Sequence, residues 1–142
     1  MAVLLGNKIV KDTESYNDYA IGISLPIQIG STAFNQTFQT VDQVKSNIKN
    51  LLLTKKGERV MQPEFGSGLQ EALFEMNDSD LEDRLEDIIN NAIETWLPYV
   101  TVDSVDIQAS NESKDRNRVN VSIKYKYSNN INLNEVTFTV QG

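Results

Sequence analysis

Leu81, Leu85, Ile88, Ile89, Ala92, Ile93 and Trp96 recur at three- and four-residue spacing, and Pro98 follows them. That spacing puts every one of these side chains on one face of a helix, and proline cannot continue a helix. A long helix is therefore expected, capped by Asp78 or Ser79 and stopped by Pro98. Asp80, Glu82 and Asp83 fall in its first turn, where carboxylates favour the positive helix end. Beyond the proline the period changes from helical to alternating. Val105, Ile107 and Ala109 alternate within a segment from Val100 to Ala109. Val119, Val121, Ile123, Tyr125 and Tyr127 do so next, then Val136, Phe138 and Val140. Period two marks half-buried strands. Asn129-Asn130 opens the connection between the last two, as in a hairpin.

The chain before the long helix is less regular. Val41, Val44, Ile48, Leu51 and Leu52 predict a first helix from Val41 to about Leu53, with Thr40 as N-cap and Gln43 completing a capping box. Lys55 and Lys56 suit its negative end, and Gly57 can supply a left-handed residue that ends it. Pro63, Gly66 and Gly68 mark a structured loop. A short helical turn from Leu69 to Phe74 should bury Leu69, Leu73 and Phe74. Two main helices and this turn, packed on a small antiparallel sheet, make an α+β domain. Near the N-terminus, Tyr19, Ile21, Ile23, Leu25, Ile27 and Ile29 alternate with Ala20, Gly22, Ser24, Pro26, Gln28 and Gly30. Pro26 lacks a ladder donor, so this segment is an edge strand or an extended arm. Met1 to Tyr16 carries no period and reads as an arm. The expected organisation is an N-terminal arm and edge strand over residues 1–30 and a domain over residues 31–142.

Composition removes several kinds of chemistry. The chain has 142 residues, which suits one domain, and contains no cysteine and no histidine. Disulfides, Ser-His-Asp and Cys-His arrangements, and zinc sites built on His or Cys are excluded. The formal charge is −7, from 13 basic and 20 acidic residues, which disfavours nucleic acid as a partner. No apolar run is long enough to span a membrane. Met1 to Leu5 is too short for the apolar core of a signal peptide, so export by that route is not expected.

Carboxylates remain as candidate catalysts. Glu64, Glu71 and Glu75 lie in or beside the structured loop, and a glycosidase needs two carboxylates flanking a cleft. The alternative is a solvated helix face with its caps. Asp78, Asp80 and Glu82 lack the glycine and terminal glutamate of a calcium loop. Lys114, Arg116, Arg118, Lys124 and Lys126 form a basic stretch, but the two lysines alternate with Ile123, Tyr125 and Tyr127 and so belong to the solvent face of a strand. Phe65-Gly66-Ser67-Gly68 lacks the lysine and spacing of a phosphate loop. No cofactor and no metal are expected.

Three linked elements carry a resemblance: Lys56-Gly57-Glu58-Arg59, then Pro63-Glu64-Phe65-Gly66 with Leu69, then Leu73-Phe74-Glu75. With a helix before and after, they resemble the baseplate-wedge, sheath-initiator family of contractile phage tails. Its relatives include gene product twenty-five of the T-even phages and parts of type VI secretion and contractile bacteriocin baseplates. The similar layout runs from about Tyr16 to the C-terminus. One departure stands out. The family carries Glu-Pro-Arg where the long helix ends, and this chain reads Leu97-Pro98-Tyr99. The family's docking contact on the wedge core through that charge pair is thereby in doubt, and Trp96 and Tyr99 could supply an aromatic anchor instead. Trp96 could equally close the core face of the helix.

The resemblance implies a non-enzymatic part of the virion tail baseplate, assembled in the host cytoplasm in multiple copies around the tail axis. Its implied partners are the tail sheath protein and other wedge subunits, with neither nucleic acid nor membrane. Gly57, Arg59, Pro63, Glu64, Phe65, Gly66, Leu69, Phe74 and Glu75 form the implied structural and docking motif, with Glu64 a possible partner of Arg59. Trp96, Pro98 and Tyr99 are the wedge-core candidates. Val136, Thr137, Phe138, Thr139 and Val140 form the candidate sheath-facing edge, Val136, Phe138 and Val140 facing the helices, since an added strand needs an open sheet edge. Some members of the family have been labelled lysozymes, so a peptidoglycan-cleaving glycosidase is one alternative function, and the equivalent baseplate part of a type VI secretion system or contractile bacteriocin is another.

Overall fold

The computed structural model describes residues 4–5, 8–9, 19–25, 27, 35–75, 81–109, 118–128 and 132–141. The expected features at Pro26, Ile29, Gly30, Asp78, Ser79, Asp80, Lys114, Arg116 and Asn129-Asn130 lie outside these residues. The chain divides into two compact units, residues 1–47 and 48–142. The boundary falls inside the first helix, α1 (Thr40–Leu53).

In the first unit, β1 (Leu4–Leu5) pairs antiparallel with β2 (Lys8–Ile9), so the segment read as an unpatterned arm contains a short antiparallel strand pair. β3 (Gly22–Ile23) pairs antiparallel with β4 (Gln36–Thr37). Among the described residues of the segment read as an edge strand or extended arm, only Gly22 and Ile23 form a strand. Alternation selects a face, but a strand lasts only as long as its ladder partner, and among the described residues β4 offers two. The start of α1 is fixed by side chains. Gln43 was expected to close a capping box with Thr40. Instead its carbonyl accepts from the Thr37 hydroxyl and its amide donates to Asn47 Oδ1 at 2.8 Å. Ser46, buried, donates to Asp42 O and accepts from Leu25 N–H.

The second unit is α+β. Two helices, α2 (Leu69–Glu75) and α3 (Leu81–Trp96), cover a three-stranded antiparallel sheet of β5 (Val100–Ala109), β6 (Arg118–Tyr127) and β7 (Asn134–Gln141), in the order β5-β6-β7. α3 lies on β5, and α2 lies on α3 and β7. The core holds Leu85, Ile89 and Ile93 of α3, Leu69 and Leu73 of α2, and Val121, Ile123, Tyr125, Val136, Phe138 and Val140 of the sheet. Ile48, Leu51 and Leu52 at the end of α1 are buried as well. Burying one such aliphatic side chain stabilises a fold by about 1.5–3 kcal/mol. Phe74 departs from expectation: it is 63% exposed, and Ala72 is buried instead. At roughly 100° per residue, Leu69, Ala72 and Leu73 fill the inward arc of α2 and carry Phe74 past it.

The outer sheet face is solvated. Lys126 pairs with Asp103 at 3.0 Å and Lys124 with Asp106 at 3.8 Å, all four half-exposed. Such surface pairs contribute little, about 0–1 kcal/mol. They place Lys124 and Lys126 on the face that their alternation predicts. No helix among the described residues is long and apolar enough to cross a membrane.

Candidate functional site

Two features of the second unit could do work: the loop that closes the end of α1, and the outer edge of β7.

The loop begins where α1 runs out of partners for its last carbonyls. The Thr54 hydroxyl donates back to Asn50 O. Ser67 supplies the rest from fifteen residues further along: its hydroxyl donates to Leu52 O at 2.6 Å and its N–H to Thr54 O at 2.9 Å. Gly66 makes this approach possible. Its φ is +124°, and a Cβ there would stand 2.5 Å from Thr54 O. Between these anchors the chain makes three turns. In the first, Glu58 N–H donates to Lys55 O while Lys55 N–H donates to Glu58 Oε2. Gly57, with φ +87°, sits third in that turn. It was expected to end the helix itself, but α1 stops at Leu53 and the left-handed residue serves the turn instead. The second turn, Arg59 to Gln62, carries Val60 and Met61 at its centre, and the third runs from Gln62 to Phe65 with Pro63 in its second position. Gly57 N–H then donates to Pro63 O at 2.7 Å, tying the start of the loop to its end.

An aromatic stack fastens this loop to α3. The Phe65 ring meets Trp96 edge-on, with centroids 5.2 Å apart at 68°. The Arg59 guanidinium lies 3.9 Å from the Phe65 centroid. Arg59 therefore does not pair with Glu64: no ion pair joins them among the described residues, and the flat guanidinium gains more from the ring face than from an exposed carboxylate. Trp96 is half-buried by this contact. Past it, Leu97 is buried and Val100 N–H donates to Leu97 O, so Leu97-Pro98-Tyr99 forms the turn into β5, with Pro98 and Tyr99 exposed.

A cleft of about 320 Å³ lies between the loop and α3, lined by Lys56, Glu64, Ser67, Asn91, Thr95 and Trp96 among others. Among the described residues, Glu64 is the sole carboxylate of its lining. Glu71 does not line it, and both Glu71 and Glu75 belong to α2. Ser67, which no sequence argument selected, holds the loop to the helix. Its signal is faint: a serine set between two glycines.

The β7 edge has a different character. Ser128 N–H donates to Tyr99 O at the open end of the β5-β6 pair, where Val100 faces Tyr127. In an antiparallel ladder this makes Val100–Tyr127 a pair without mutual bonds, so the backbone groups of Lys126, Lys124, Ser122 and Asn120 face β5. Those of Tyr125, Ile123, Val121 and Val119 then face β7, opposite Asn134, Val136, Phe138 and Val140. The N–H and C=O groups of Glu135, Thr137 and Thr139 accordingly point away from β6, and no described residue pairs with them. The side chains obey the same alternation. Val136, Phe138 and Val140 are buried toward the helices, and Thr137 and Thr139 are exposed, Thr139 donating to Asn120 Oδ1 at 2.8 Å. The opposite edge is guarded: β5 has an irregularity between Val102 and Ser104 and carries Asp103 and Asp106. Bulges and charges of this kind discourage edge pairing.

The family described as baseplate wedge protein gp25 matches residues 39–131, which take in the loop, the helices and most of the sheet. The chain belongs to this family. It is a structural component of a contractile-tail baseplate. Solved structures share the fold. A candidate tail lysozyme from Geobacter sulfurreducens aligns with TM-score 0.61 and 22% identity over 70% of this chain and 87% of its own. A chain of the anti-feeding prophage baseplate gives TM-score 0.62 and 22% identity over 77% and 86%. A chain of the type VI secretion baseplate complex gives 0.55 and 14% over 70% and 90%. No curated protein matches the sequence. Within this gp25-family chain, the loop from Lys56 to Gly66 is the part that closes α1, and β7 is the part that leaves its backbone outward.

Proposed function

We propose that this gp25-family chain starts the tail sheath by accepting a strand from a sheath subunit along the outer edge of β7. The observation that carries this reading is the outward backbone of Thr137 and Thr139 on a strand with no partner on that side among the described residues. Each added main-chain hydrogen bond contributes about 1 kcal/mol net, so capture takes several bonds plus apolar burial. Several copies stand around the tail axis, and assembly takes place in the host cytoplasm. Trp96, Pro98 and Tyr99 belong to the face that meets the wedge core, and residues 1–30 act as an arm that contacts another chain while residues 31–142 form the wedge domain. Neither nucleic acid nor membrane is a partner. The same part in a type VI or bacteriocin baseplate would work in the same way.

The role is not enzymatic. Hydrolysis of a glycosidic bond needs two carboxylates across a cleft, about 5–9.5 Å apart. Among the described residues, the cleft beside α3 has Glu64 alone. Purified protein is expected to leave peptidoglycan intact; hydrolysis that disappears in Glu64→Gln with the fold preserved would overturn this reading. For the sheath role, deletion of residues 1–15 should spare folding and weaken assembly, whereas unfolding of the truncated chain would place the arm in the core.

A further inference from the structure

Phe74 is 63% exposed although Ala72 and Leu73 beside it are buried. It belongs to α2, which lies on two elements, α3 and the edge strand β7. At about 100° per residue, Ala72 stands on one flank of the arc that Leu69 and Leu73 turn inward, and Phe74 stands on the other. Only one flank can meet α3. Ala72 is 3% exposed and Phe74 is open, so Ala72 faces α3 and Phe74 faces the free side, over β7 and past it.

The hand of the chain leads to the same side. Ser67 and Gly68, just before α2, line the cleft with Asn91, Thr95 and Trp96, so α2 starts beside the C-terminal half of α3 and runs antiparallel to it. The buried residues of β6 send their backbone groups toward β7. In an L-chain seen from the helix side, that sets β7 to the right of an upward β6. α3 climbs over β5 on the left, and α2 descends over β7. A right-handed helix descending there turns Phe74 to the right, beyond the sheet edge.

We propose that Phe74 is the roof over the strand that β7 accepts, and that it selects a sheath strand with apolar side chains at alternate positions. This rests on the reading of β7 as the sheath-facing edge and names what that edge selects. The outward groups of Glu135, Thr137 and Thr139 accept an extended backbone. Side chains of the incoming strand opposite Val136, Phe138 and Val140 fall on the helix side, in pairs without mutual bonds, where side chains approach most closely. Phe74 covers that side with an aromatic ring, which rewards apolar partners. The other face is polar: Ser122 donates to Glu135, and Thr139 donates to Asn120. The incoming strand is therefore apolar toward α2 and polar toward solvent. A second copy of this chain is disfavoured as its source, since each copy carries a charge of −7.

The test places p-benzoylphenylalanine at position 74 of the full chain, in assembled baseplates given sheath protein. Irradiation followed by peptide mass spectrometry identifies the residue captured. Expected is an aliphatic or aromatic residue of the sheath protein, with polar neighbours on both sides in sequence. Capture of another baseplate subunit, of a second copy of this chain, or of nothing overturns the proposal. In parallel, Phe74→Ser should keep its melting temperature within about 3 °C, because the ring is largely exposed in the free chain. The sheath concentration at which half of the baseplates carry sheath should rise at least about tenfold, as loss of an interface anchor does, and Phe74→Leu should stay within about threefold of the parent. A midpoint within about twofold of the parent for Phe74→Ser overturns the proposal. Thr139→Pro separates the two readings. Capture lost in Thr139→Pro but normal in Phe74→Ser rejects the roof and keeps the edge, whereas normal capture in Thr139→Pro rejects both.

Discussion

The loop from Thr54 to Gly68 and the edge of β7 treat their backbone groups in opposite ways. In the loop, the polar groups turn inward: Ser67 closes on Leu52 and Thr54, Gly57 on Pro63, and Glu58 on Lys55. What it leaves outside is apolar side chain, at Val60 and Met61. Along β7 the apolar side chains Val136, Phe138 and Val140 go inward, and the peptide groups of Thr137 and Thr139 are left outside. Both are ordinary uses of the same rule, that buried polar groups need partners and exposed ones can wait for them. The loop is built to hold its own shape and the edge to complete another chain. Substitutions of the residues that hold the loop's backbone, Gly57, Gly66 and Ser67, should therefore cost stability, and substitutions on the edge should cost assembly.

The sharpest contrast is expected at Gly66. Alanine there takes on both a forbidden φ and a clash with the Thr54 carbonyl, a backbone atom that cannot swing away. Gly66→Ala should destabilise the fold by about 3–4 kcal/mol, read from the urea midpoint. Ser67→Ala strips one hydrogen bond from a buried carbonyl and should cost about 1–2 kcal/mol in the same measurement. Gly57→Ala isolates the backbone term, since nothing lies within 4 Å of a Cβ at that position. Its cost should be about 1 kcal/mol, and Gly57→Asn should cost less because asparagine tolerates the left-handed region. A Gly57→Ala cost equal to that of Gly66→Ala would break the distinction between a turn glycine and a packing glycine.

How far the sequence discloses this molecule depends on how local each feature is. The stripe from Leu81 to Trp96 needs only its own spacing and Pro98 to be read, and the observed helix spans that stripe and ends at Trp96, ahead of the proline. The three strands are equally plain, because one solvated and one buried face impose alternation on each. Phe74 misleads because one extra residue rotates it past the inward arc of α2. Ser67 is invisible because its partners lie at Leu52 and Thr54, and the chain's return to them depends on Gly66. The stacking of Arg59 on Phe65 and Trp96 is non-local in the same sense, joining positions with no shared period. The apolar alternation that begins at Tyr19 does not reveal its ladder partner, which among the described residues pairs with Gly22 and Ile23 alone.

The central claim is that the open edge of β7 receives the sheath. Thr139→Pro removes an N–H that points away from β6 and leaves the β6-β7 ladder intact. It forfeits only an exposed side-chain bond to Asn120, so the unfolding free energy should fall by about 1 kcal/mol or less. The deciding measurement is sheath polymerisation on baseplates assembled with this variant, counted by electron microscopy beside the parent. The account predicts baseplates of normal number that carry no sheath. Sheaths of normal length and frequency on a variant shown to be folded would contradict it.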